Sequence, residues 1–233
     1  MTIIREERIG NQRLLLGDCR EIIGGLTFDA IVSDVPYGIG YARGAGGKGK
    51  AGHHNKHDGK PIVGDDQPFD PEPFLQWPCI LWGANHYAAR LPHGRWLAWN
   101  KLGDHQPFGD DFSDVEFAWQ NKRAADRIFS HLWKGMLTAS EKGARRVHPT
   151  QKPVALMEWC LSFVPDAQTI LDPFMGSGST ILACQRLRRN GIGVEIDPDY
   201  FEAACRRVEE AARQPDLLIP ETRPQPTQEA MDL

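Results

Sequence analysis

The sequence predicts an α/β protein built on a doubly wound, mostly parallel sheet. Two observations carry this. Short β-branched and apolar runs alternate along the chain with helical patterns, and several runs are apolar on successive residues. A strand with one wet face alternates polar and apolar residues, whereas a strand covered on both faces does not. The 233 residues suffice for one domain with a full core.

Taken in order, RLLLG (13–17) reads as a short strand and residues 18–25 as a helical turn. FDAIVS (28–33) is a strand with an almost unbroken apolar run. PCILWGAN supplies another strand, followed by a short helix over 86–91. RWLAWN (95–100), VEFAWQ (115–120) and IFSHLW (128–133) are further strands. Pro153 opens a helix through residue 164, TILD (169–172) is a strand, and residues 179–189 form a helix. GIGVEI (191–196) is a strand, and Pro198 begins a last helix reaching residue 213. From Gln214 the composition turns to Pro, Gln and acids. The expected organisation is one domain over 1–213 and a disordered tail over 214–233.

No apolar run approaches the roughly 20 residues of a membrane span, and MTIIREERIG has no signal-peptide core. No membrane association and a cytoplasmic location are therefore expected. Five scattered cysteines (Cys19, Cys79, Cys160, Cys184, Cys205) without a C-x-x-C pair suit buried, reduced thiols. The net charge of −4 does not advertise a nucleic-acid binder, but two stretches break the acidic average. Residues 41–60 hold Arg43, Lys48, Lys50, Lys56 and Lys60 among glycines and read as a mobile basic loop. Residues 122–152 hold Lys122, Arg123, Arg127, Lys134, Lys142, Arg145, Arg146 and Lys152 against Asp126 and Glu141. Either stretch alone reads as solvated surface. His53, His54 and His57 lie among flexible glycines with no Cys and no acid pair, Asp58 standing alone, so no metal is expected.

The chemistry concentrates in TILDPFMGSGSTILACQRLRRNGIGVEID. A strand ends in Asp172, a glycine loop follows, and a helix begins at Ser179 or Thr180, capped by Ser177 or Ser179. Ligands of open α/β sheets bind beyond the carboxyl ends of the strands, where Gly176 and Gly178 allow close backbone approach. A phosphate-binding P-loop needs Gly-Lys-Ser/Thr, but Ser179 follows Gly178 here. A dinucleotide fingerprint needs a third small residue where Ile181 stands. A nucleoside without pyrophosphate remains, with Glu195 on the next strand placed to grip ribose hydroxyls. With a positive charge that Asp172 could favour, the expected ligand is S-adenosylmethionine.

DPFMGSGST followed by GVEID resembles the cofactor motif of DNA amino-methyltransferases, and HPTQKPVALMEWCL (148–161) resembles the segment that precedes it. DVPYG resembles their catalytic Asp/Asn/Ser-Pro-Pro-Tyr/Phe signature. LLLGDCREII resembles the segment whose acid, Asp18, approaches the cofactor's adenine. The order, catalytic segment first and cofactor loop last, is that of the family's beta group. GANHYAARLP and FSHLWKGM are similar to its small phage-type members. The resemblance implies a Rossmann-like S-adenosylmethionine-dependent methyltransferase fold with permuted motif order. It implies cofactor contacts at Asp18, Lys152, Asp172, Phe174, Gly176, Ser177, Gly178, Thr180 and Glu195. It implies catalysis by Asp34, Val35, Pro36 and Tyr37.

The roles follow from the chemistry of an exocyclic amino group, whose lone pair is delocalised into the ring. Acceptors on both N–H groups pull the nitrogen toward tetrahedral geometry; Asp34 would be one and the Val35 carbonyl the other. Pro36 biases Val35 toward an extended conformation, and Tyr37 would stack on the extruded base. Val35 departs from the family's proline, which predicts weaker preorganisation. Asp in this slot goes mostly with adenine and Ser with N4-cytosine, so N6-adenine is expected and N4-cytosine is the alternative. An RNA methyltransferase and a cofactor-binding but inactive prophage relative are more distant readings. Double-stranded DNA is the implied partner, with 122–147 as a short recognition region. A homodimer and a separate cognate endonuclease are consistent with the family. Trp77, Trp82, Trp96 and Trp99 could serve core or interface, and core is expected for most.

Overall fold

The computed structural model describes residues 2–40, 63–106, 113–134, 137–141 and 151–213. The basic loop over 41–60, most of the 136–147 segment and the tail over 214–233 lie outside the described residues. A nine-stranded sheet forms the centre. Its strands are β1 (Arg5–Ile9), β2 (Gln12–Leu16), β3 (Ala30–Asp34), β4 (Cys79–Trp82), β5 (Arg95–Asn100), β6 (Val115–Gln120), β7 (Arg127–Ser130), β10 (Thr169–Asp172) and β11 (Asn190–Glu195). A separate two-stranded ribbon pairs β8 (Trp133–Lys134) with β9 (Leu137–Thr138). Across the main sheet the order is β1-β2-β11-β10-β3-β4-β6-β5-β7. Every pairing from β2 to β4 is parallel, while β1 and β6 run against their neighbours.

The apolar runs are explained by burial on both faces. Leu14, Leu16, Ala30, Val32, Ile80 and Trp82 point into one core, and Leu15, Ile31, Cys79 and Leu81 into the other. The first core is covered by helices α2 (Val154–Leu161), α3 (Ser179–Arg186) and α4 (Pro198–Arg213), through residues such as Leu156, Ile181 and Phe201. The second is closed by the short α1 (Cys19–Ile22) and by irregular segments carrying Phe69, Phe74 and Tyr87. All five cysteines are free and buried. Trp82 and Trp99 are fully buried and meet edge to face, whereas Trp77 and Trp96 are partly buried.

Three elements differ from the sequence reading. The chain folds REERI into an edge strand, β1, joined to β2 by a two-residue turn at Gly10 and Asn11. Its charges pair with each other and with neighbours, as in Arg13–Glu6 at 2.9 Å, and blunt the sheet edge. The helix expected over 86–91 is instead two 3-10 turns, Ala84–His86 and Ala88–Arg90. The expected strand over 128–133 divides into β7 and β8. Among the described residues no helix is long and apolar enough to cross a membrane.

Candidate active site

From β10 the chain crosses to β11 on one side, and from β3 to β4 on the other. The loops leaving β3 and β10 therefore diverge, and the crevice between them opens at the carboxyl ends of two paired strands. Each strand ends in a carboxylate, Asp34 on β3 and Asp172 on β10. The fully buried Ser33 hydroxyl donates to Asp172 Oδ1 at 2.6 Å and ties the two ends together.

On the β10 side the glycine loop turns through two left-handed residues, Gly176 (φ 49°) and Gly178 (φ 78°). The Gly178 turn starts α3 without a side-chain cap, contrary to the expected serine cap. Ser179 is already helical, and its hydroxyl donates to the Lys152 carbonyl at 2.7 Å. The Gly176 N–H donates to Glu195 Oε2 at 2.9 Å and the Asp197 N–H to Oε1 at 2.8 Å. Burial pushes the Glu195 carboxyl up to about 7, against those backbone bonds. It pushes Asp172 up to about 6, against the hydroxyls of Ser33 and Thr180 and the Phe174 N–H. Gly193 lets the loop lie on β11, since a Cβ there would meet Met175 Sδ at 2.3 Å. Asp18 caps α1 and pairs with Arg20 at the rim, two residues beyond the Leu16 that pairs with Glu195. Arg207 of α4 donates to the Ser177 carbonyl.

This half of the crevice fits S-adenosylmethionine. Two buried carboxylates flank a backbone turn, and residues 172–180 contain no cationic side chain. That donor set suits ribose hydroxyls and a sulfonium, and does not suit phosphates.

On the β3 side lies a charged network. Tyr37 donates its hydroxyl to Asp34 Oδ1 at 2.6 Å, and Lys152 Nζ donates to Asp34 Oδ2 at 2.7 Å and to the Tyr37 oxygen at 2.9 Å. Glu116 Oε2 lies 3.1 Å from Lys152 Nζ, and Lys101 Nζ is 2.8 Å from Glu116 Oε1. The Lys152–Glu116 approach is an ion pair lacking hydrogen-bond alignment, so Glu116 Oε2 is buried without a hydrogen-bond partner. Burial raises the Asp34 carboxyl and the adjacent Lys152 ammonium opposes it. Burial also acts to raise Glu116, but Lys152 and Lys101 outweigh it and hold the group at about 2. Lys152 is itself raised: burial would lower it, and Asp34 and Glu116 prevail.

Local backbone sets this cluster. Tyr37 stacks on His86 at 5.1 Å and passes over Gly83, where a Cβ would stand 2.0 Å from its ring. Asp65 Oδ1 accepts from the Gly38 N–H at 2.8 Å and braces the turn. Val35 is buried in the second core.

The structure thus brings Asp34, Tyr37 and Lys152 together, and gathers Asp172, Phe174, Gly176 and Glu195 beside them. The Lys152 ammonium, read from the sequence as a cofactor contact, is bound to the Asp34–Tyr37 pair, and its backbone carbonyl accepts from Ser179 at the start of the glycine-loop helix. Sequence reasoning missed Glu116, Lys101, Asp65, His86 and Gly83. Of these only Gly83 carried a local signal, a glycine directly after an apolar strand. Among the cations of 122–152, Lys122, Arg123 and Arg127 are exposed, while Lys134 is buried in a pair with Asp114.

A family model described as DNA methylase, for N6 and N4 enzymes, matches residues 79–206. The type II methyltransferase M.HpaI of Haemophilus parainfluenzae is 44% identical over 66 residues, 28% of this chain and 21% of that protein. The type II methyltransferase M2.MboI of Moraxella bovis is 32% identical over 116 residues, 49% of this chain and 41% of that protein. These matches thus span well under half of the relatives' length. A solved PvuII DNA methyltransferase (cytosine-N4-specific) superposes with a TM-score of 0.51 at 12% identity, over 91% of this chain and 95% of that one.

Proposed function

The chain belongs to the N6/N4 family of DNA methylases, and on that premise we propose that it methylates N6 of adenine in double-stranded DNA. Its fold is of the Rossmann-like methyltransferase type, with the catalytic strand β3 ahead of the cofactor strand β10. S-adenosylmethionine, when bound, supplies an electrophilic methyl group on a sulfonium.

The residues divide the work. Glu195 holds ribose hydroxyls, and Asp172 favours the positive sulfonium. Asp34 accepts one N–H of an extruded base and the Val35 carbonyl the other, concentrating the lone pair on nitrogen. Held by Asp172 and Glu195, S-adenosylmethionine would donate its methyl group to the amino nitrogen presented by Asp34 and the Val35 carbonyl, with S-adenosylhomocysteine as leaving group and the nitrogen's surplus proton going to solvent. Lys122, Arg123 and Arg127, exposed after β6 and on β7, suit phosphate contacts.

One observation carries the choice of adenine. Ser33 is fully buried and spends its hydroxyl on Asp172, so the acid Asp34, not the serine beside it, faces the crevice as acceptor. The test is transfer from labelled S-adenosylmethionine to unmethylated genomic DNA, followed by nucleoside analysis. Label in N6-methyladenine is expected. Label in N4-methylcytosine would keep the mechanism and overturn the base, and label in RNA alone would overturn the substrate.

A further inference from the structure

The Lys152 side chain is 5% exposed and sits among three oxygens: Asp34 Oδ2 at 2.7 Å, the Tyr37 hydroxyl at 2.9 Å and Glu116 Oε2 at 3.1 Å. Only the first two contacts are aligned hydrogen bonds. The lysine therefore leans on Asp34, while Glu116 keeps one buried, unused acceptor position. The other Glu116 oxygen is anchored by Lys101 at 2.8 Å, so this carboxylate is held in place.

This arrangement conflicts with the reaction proposed above. Asp34 has to accept an N–H from the base and face positive charge as the methyl group arrives. An ammonium on the same carboxylate competes for its lone pairs and repels that charge. Removing the lysine altogether would leave Asp34 buried without a cation, inclined to protonate and lose its acceptor role. Both demands are met when the ammonium stays in the crevice and changes partner.

We propose that Glu116 is a positioning residue for methyl transfer: it draws the Lys152 ammonium off Asp34 as the base amino group enters. The inference rests on the reading of Asp34 as the amino-group acceptor. Rotation about the terminal carbons of Lys152 aligns it on Glu116 Oε2, which is already within ion-pair distance. The net charge of the Lys101, Glu116, Lys152 and Asp34 cluster is unchanged by the exchange. What changes is which carboxylate is free.

The experiment uses the full chain, S-adenosylmethionine and an unmethylated duplex fragment of the genomic DNA that accepts label in the transfer assay. It reads the single-turnover transfer rate and, separately, cofactor affinity. Glu116→Gln keeps the shape and removes the charge that competes for Lys152. The rate is expected to fall ten- to a hundredfold, with cofactor affinity within about twofold of the parent. Lys152→Met alone also lowers the rate, because Asp34 loses its cation, and in that background, with no ammonium left to move, adding Glu116→Gln changes the rate by less than twofold. Should the glutamine variant fail to fold, Glu116→Asp carries the test: it keeps the charge, retreats by one methylene, and loses rate severalfold at unchanged cofactor affinity. A Glu116→Gln rate within twofold of the parent overturns the proposal, as does a Glu116→Gln effect of the same size with and without Lys152. Asp34→Ala separates the two levels. If it retains transfer, the acceptor reading itself fails; if it abolishes transfer while Glu116→Gln is silent, only the role of Glu116 falls.

Discussion

Lowering the pH should release the cofactor before it unfolds the protein. Burial holds Glu195 at about 7 and Asp172 at about 6. Both shifts are upward, so both groups take up protons as the pH falls through these values. A protonated Glu195 turns one oxygen into a donor facing the N–H of Gly176 or Asp197. A protonated Asp172 no longer favours a cation. At about pH 7.5 both carboxylates are ionised together in about 70% of molecules, and at about pH 5.5 in roughly 1%. If binding needs both, affinity for S-adenosylmethionine drops about a hundredfold between those conditions, or about 2.7 kcal/mol. Titration calorimetry across that range measures it directly. Glu195→Gln weakens binding but removes the steeper part, leaving the about fourfold change that Asp172 alone contributes. S-adenosylhomocysteine, which lacks the positive sulfur, should show a shallower profile than the methyl donor. An affinity flat from about pH 5.5 to 7.5 would refute the assignment of these carboxylates to the cofactor.

Gly83→Ala places a methyl group 2.0 Å from the Tyr37 ring, on a backbone at φ 73°. The ring must move off His86 and Asp34, so transfer is expected to fall at least about tenfold while cofactor affinity holds; an unchanged rate would show that Tyr37 placement is irrelevant. Val35→Pro restores the family's rigid φ beside the acceptor carbonyl. Its single-turnover rate should rise about two- to tenfold, and a fall would mean that the buried valine packs better than it is replaced.

The elements legible in the sequence were those whose own pattern decides them. β5, β6, β10 and α4 fall on the expected residues, because each is bounded by Gly, Pro or charged punctuation and packs on the sheet. β1 was not legible, because REERI has the composition of solvated surface and becomes a strand only through Gly10–Asn11 and the ladder to β2. The chemistry divides the same way. Asp34, Asp172 and Glu195 are read from strand ends, a local feature. Glu116 was invisible: VEFAWQ gives no sign which of its residues meets a lysine 36 positions later, and only antiparallel β6 brings its amino end to the carboxyl end of β4. The carboxylates that Lys152 meets were equally invisible, since a lysine's long stem lets tertiary packing choose among them.

The placement of β10 and β11 has a consequence for how the chain is made. These late strands are not added to an edge; they lie between β2 and β3, in the middle of the sheet. While the ribosome is still synthesising residues 151–195, β2 and β3 each present an unpaired parallel edge toward a gap. No local hairpin can fill it, and pairing across the centre waits for the last third of the chain. Such long-range closure is slow, and the waiting edges can recruit another nascent chain. Yield of folded protein should therefore depend on synthesis rate and chaperone supply more steeply than its stability alone would suggest.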